Sequence, residues 1–146
     1  MRLPKNYRRH KGDNLKATNQ ANWEGPARAD GNNTQLMIQI ITMVNPKDPK
    51  YAPRTVLTNH LSNSSMETGS IRKSPIEEGD LNRLAFIRGR SEGVDRLRKT
   101  MFLRDVAYLA SDGNRLILIS AHDHMSAKTD DFLGPAEAAI LTFEKK

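Results

Sequence analysis

The sequence has 146 residues, 23 Lys plus Arg against 17 Asp plus Glu, a formal net charge of +6 and no cysteine. That length fits one small domain, with or without an attached arm. The missing thiols exclude disulfide scaffolds, thiolate zinc sites and a cysteine nucleophile, and no apolar run approaches the roughly 18 residues of a membrane span.

Residues 1–34 read as an extended basic arm, and residues 35–146 as a single small domain. Residues 1–28 carry seven basic and two acidic side chains, net +5. Arg2, Lys5, Arg8, Arg9 and Lys11 crowd the start, with Tyr7 and His10 among them, and Asn, Gly, Asp and Gln dominate from Gly12 to Asn33. The segment has no apolar period of 2 or 3.6. Alone it buries too little to offset an ordering cost of about 1–2 kcal/mol per residue. It is therefore expected to be ordered by a partner, or by Trp23 pinning it to the chain's own core. No apolar signal core follows the basic start, which suggests a cytoplasmic protein or one carried within a viral particle.

Residues 35–44, rich in β-branched side chains and ending at Asn45-Pro46, predict a central strand. Pro46, Pro49 and Pro53 predict a turn-rich connection, and Arg54 to Leu61 a returning strand. Residues 62–73 read as a loop. Ser74-Pro75-Ile76-Glu77 carries a capping-box signature, so a helix is expected from residue 75, with Ile76, Leu81, Leu84 and Ile87 on its buried side. Ser91 is positioned to cap a second helix running to residue 110, with Val94, Leu97 and Met101 along one side. Ser111 to Asn114 is a turn signature. Residues 115–121 predict another buried strand, 122–134 a polar loop, and 135–143 either a helix or a strand. The expected architecture is α+β: a small mixed or antiparallel sheet covered on one face by two helices, with the basic N-terminal arm extending from it.

Three groups of residues suggest chemistry. The arm's Arg2, Lys5, Arg8, Arg9 and Lys11 suit phosphate or carboxylate oxygens, and Tyr7 suits stacking on a base. Equally, they are the charges of a solvated terminus. The second group is Arg83, Arg88, Arg90, Arg96, Arg98, Lys99 and Arg104, in a segment of net +4. Of these, Arg96 and Lys99 are the best anion-binding candidates, against a plain solvated face with Glu92–Arg96 and Asp95–Lys99 pairs. A helix-turn-helix about Gly89 is a further reading of this segment, opposed by Glu92 and Asp95 in the first turn of its second helix. The third group is His122-Asp123-His124 with Asp130-Asp131, weak candidates for a divalent metal site. Because neighbours in an extended chain point to opposite sides, His122 and His124 are expected to converge and Asp123 to point away. No cofactor motif is present.

The leading expectation is a non-enzymatic structural or assembly component of a viral particle or ribonucleoprotein, its arm contacting DNA or RNA backbone or acidic neighbouring subunits. The alternative is a small regulatory or inhibitor protein that binds a protein partner. A metal-dependent nuclease using His122, Asp123 and His124 is the third.

Overall fold

A computed structural model describes residues 1–10, 19–62, 65–125 and 133–144. The apolar residues concentrate in long strands and two short helices. The strands are β1 (Arg8–Arg9), β2 (Gln20–Glu24), β3 (Thr34–Thr42), β4 (Arg72–Lys73), β5 (Glu77–Leu81), β6 (Leu84–Val94), β7 (Phe102–Asp112) and β8 (Arg115–Met125); the helices are α1 (Pro53–Leu61) and α2 (Leu133–Ile140). All form one antiparallel sheet in the order β1-β2-β3-β8-β7-β6-β4, with β5 also paired to β6.

Period-2 alternation sends side chains of each strand to two cores. On one face Leu36, Val106, Tyr108, Ile117, Ile119 and Ala121 receive Leu133, Ala136, Ala139 and Ile140 of α2. On the other, Ala107, Leu109, Leu116 and Leu118 receive Leu57 and Leu61 of α1. The architecture is thus a large sheet with one helix on each face, rather than a small sheet with two helices on one.

The differences from the sequence reading have local causes. The expected strand at 54–61 is α1, because Pro53 occupies the first helical position and Leu57 and Leu61 fall one turn apart toward the sheet. Both expected helices between residues 75 and 110 are strands, which also removes the helix-turn-helix. Ser74 caps no helix: its Oγ accepts from the backbone N–H of Arg90 at 2.9 Å, in a break between β4 and β5. Asn82 and Arg83, both at positive φ, make the two-residue turn that folds β5 back onto β6. Glu92 pairs across the sheet with Arg104 (3.7 Å) instead of along a helix with Arg96. The turn at 111–114 stands, with Gly113 at φ +60°. The strand at 115–121 runs on through His122, Asp123 and His124 to Met125, and the ambiguous C-terminal segment is helical.

Nor are the described parts of residues 1–34 a free arm. β2 pairs along β3 from Gln20↔Gln39 to Glu24↔Gln35. β1 pairs with Trp23 and Glu24. Met1, Tyr7 and Trp23 pack against the α2-side core. The chain's own sheet therefore orders these residues.

Candidate functional site

The N-terminal edge comes first. Arg2, Lys5, Arg8 and Arg9 are exposed, and Lys11 lies outside the described residues. The edge is held rigidly. The backbone N–H of Arg2 donates to Thr142 Oγ1 at 2.6 Å, and the Tyr7 ring packs so close to Gly25 that an added Cβ there would lie 3.0 Å from it. The Tyr7 hydroxyl, its pKa raised chiefly by burial, sits near Thr34, Asp123 and Arg28. Tyr7 therefore anchors the edge inward, where its ring is no platform for a base. Edge cations of this kind also discourage pairing with a stray strand.

Asp123 lies where Tyr7 points, fully buried on the α2 side. Its Oδ1 accepts from Arg28 Nη1 at 2.7 Å and Thr34 Oγ1 at 3.1 Å. Arg28 also donates to the carbonyl of His124. Burial raises the Asp123 pKa, and the Arg28 guanidinium opposes that rise.

His122 and His124 point to the opposite face, as alternation requires, with ring centroids 4.6 Å apart in an edge-on contact. His122 Nδ1–H donates to Asp105 Oδ1 at 2.8 Å. Burial is the largest influence on His122 and lowers its pKa, but the hydrogen bond and charge of Asp105 outweigh it and the net shift is upward. His124 is pushed down to about 4, first by burial and then by the charges of His122 and Arg98. Burial also lowers His60 of α1, which approaches the same cluster. Asp105 stands between Ser91 and His122 in the cross-strand row. A serine relay instead requires the imidazole between hydroxyl and carboxylate. Among the described residues no group of three or more His, Asp or Glu side chains is arranged to hold a metal; Asp130 and Asp131 lie outside them.

Asp95, buried at the end of β6, connects this cluster to the surface. Its Oδ2 is 3.6 Å from His124 Nε2, while its Oδ1 accepts from the backbone N–H groups of Leu97 (2.8 Å) and Arg98 (2.7 Å). These bonds fix the β6–β7 turn, and both hold Asp95 below the usual carboxylate range. The turn carries Arg96 and Lys99. The Arg96 backbone N–H donates to the Ser65 carbonyl at 2.9 Å, and Lys99 Nζ reaches Glu67 at 2.8 Å. Leu97, expected on a buried helical stripe, is instead 90% exposed.

The sequence reading missed Arg28, Asp105 and His60, because their partners are distant in the chain and no local pattern marks them. No protein-family profile and no curated protein matches this sequence. Solved structures do match. One is protein PA94 of Pseudomonas aeruginosa, of unknown function and described as a candidate regulator (11% identity, TM-score 0.60, covering 88% of this chain and 84% of that one). Another is a mutant of protein Mog1 (11% identity, TM-score 0.56, covering 94% and 76%). These likenesses establish the fold, an α+β arrangement dominated by an antiparallel sheet. Among the described residues no helix is long and apolar enough to cross a membrane.

Proposed function

We propose that this chain is a small regulatory protein that acts by binding an acidic surface of a protein partner, and not by catalysis. The observation that carries the reading is the N-terminal edge, where Arg2, Lys5, Arg8 and Arg9 stand exposed on a backbone held by Tyr7 and β2. A backbone already in place lowers the ordering cost of binding, and the exposed cations steer association with a surface of opposite charge. One fold neighbour, described as a candidate regulator, points the same way. A partner protein is favoured over a single-stranded nucleic acid because Tyr7, the ring that suited stacking on a base, is turned inward against Gly25. It is favoured over a place in a larger particle because the chain orders residues 1–10 and 19–24 by itself.

Affinity purification of the tagged protein from its own cells, with and without nuclease, tests this. One stoichiometric protein should survive nuclease. It should be lost with the Arg8→Glu/Arg9→Glu variant, and more readily at high salt than at low. Release of every partner by nuclease, or full retention by the variant, overturns the reading.

A further inference from the structure

An apolar side chain left in water on a mobile loop carries little meaning, because binding would first have to order the loop. Leu97 is different. Its own N–H and that of Arg98 are fixed by the buried Asp95 carboxylate. The turn is closed by Asp95 N–H to the Met101 carbonyl at 2.9 Å and Met101 N–H to the Arg98 carbonyl at 2.8 Å. Arg96 N–H ties it sideways to Ser65. The backbone is therefore set before any encounter. Cations flank the leucine in the turn: Arg96, Arg98 and Lys99, all exposed, with Arg96 also reaching the Met66 carbonyl at 3.4 Å, Arg98 the Asp95 carboxylate at 3.4 Å and Lys99 that of Glu67 at 2.8 Å. Val44, at 92% exposed, is the other such apolar side chain among the described residues, and in sequence only Lys47 follows it closely.

We infer that the β6–β7 turn is a second docking element, in which Leu97 inserts into an apolar seat on an acidic segment of a partner protein while Arg96 and Arg98 meet carboxylates at its rim. Apolar insertion supplies affinity and the cationic rim supplies register and rejects basic surfaces. A cleft of about 300 Å³ at the same end of β6 and β7, lined in part by Ile71, Arg72 and Val94, gives the segment room to continue past the turn. The element lies four to five strand spacings from β1, about 19–24 Å across the sheet. It is thus distinct from the N-terminal edge, although the inference rests on the same reading of the chain as a protein-binding module.

The test is selection of a random dodecapeptide library, displayed on phage, against the full protein and then against its Leu97→Asp and Arg8→Glu/Arg9→Glu variants. Enriched peptides should combine Asp or Glu with Leu or aromatic residues. Labelled synthetic copies should bind at least tenfold more weakly to Leu97→Asp and to Arg98→Glu, and equally well to Arg8→Glu/Arg9→Glu. Leu97 is exposed, so the Leu97→Asp protein should melt at the wild-type temperature. Peptides that bind Leu97→Asp as tightly as wild type, or that are neutral or basic, overturn the inference. Loss on Arg8→Glu/Arg9→Glu alone would leave the N-terminal edge as the docking surface and remove this one. A turn variant that behaves as expected while the edge variant still holds its cellular partner would do the reverse.

Discussion

In β8, His122 and His124 share one face yet differ in acid–base behaviour, because His122 has the Asp105 carboxylate at hydrogen-bond distance and His124 meets Asp95 only at 3.6 Å. A raised pKa means that the fold holds protonated His122, so its contribution is complete below about pH 6.5 and fades as pH rises through the shifted value. His124 and His60 have the opposite sign. The fold holds them neutral, and their contribution is full above about pH 6.5 and declines as pH falls toward about 4, the value for His124. Urea titrations at pH 6.5 and 4.5 should show a loss of stability on acidification, about 2 kcal/mol of which disappears in His124→Gln. Identical losses in the two proteins would mean that His124 is not held neutral. This pair also shows what was readable from spacing alone. Alternation placed His122 and His124 together and Asp123 apart, whereas the partners Asp105, Asp95 and Arg28 came from strands and loops far along the chain.

Between elements, α1 comes close to β6 at Gly89. An added Cβ there would lie 2.5 Å from Leu61 Cδ1 and 3.7 Å from Leu57 Cδ2. Gly89→Ala should therefore force the buried Leu61 side chain out of its place and cost about 1 kcal/mol, read as a lower melting temperature. Adding Leu61→Ala should recover part of the loss beyond additivity; strict additivity would show that the two do not press on each other. The same glycine illustrates why residues 75–110 misled. Read along the chain, Ser-Pro-x-Glu followed by apolar residues three and four apart fits a helix. The strand is decided by contacts that no local window contains: Gly89 opposite Ala107, Glu92 opposite Arg104, and α1 overhead. In β3 the β-branched run and in β8 the unbroken apolar run Leu116–Ile119 let the local and tertiary preferences agree, and there the strands were legible. Residues 54–61 failed for the converse reason, since Pro53 breaks a strand and also begins a helix well.

For the whole molecule, the N-terminal residues are structural as well as charged. β1 covers part of the outer edge of β2, and Met1 and Tyr7 close the α2-side core. Deleting residues 1–10 should lower the melting temperature and produce association that grows with protein concentration, seen by light scattering, as the bared edge finds other chains. A monomer with unchanged melting would show that the edge contributes nothing to the fold.

The pairing of β3 with β8, Thr34 facing Asp123 and Thr42 facing Arg115, has a consequence during synthesis. At roughly 5–20 residues per second, β3 leaves the ribosome about 4–16 s before its permanent neighbour. For that interval Leu36, Ile38 and Ile40 have no β8 to lie against. A newborn copy thus spends seconds with that strand uncovered and open to other nascent chains, and its yield in the cell depends on how well the folding machinery shields it until β8 emerges.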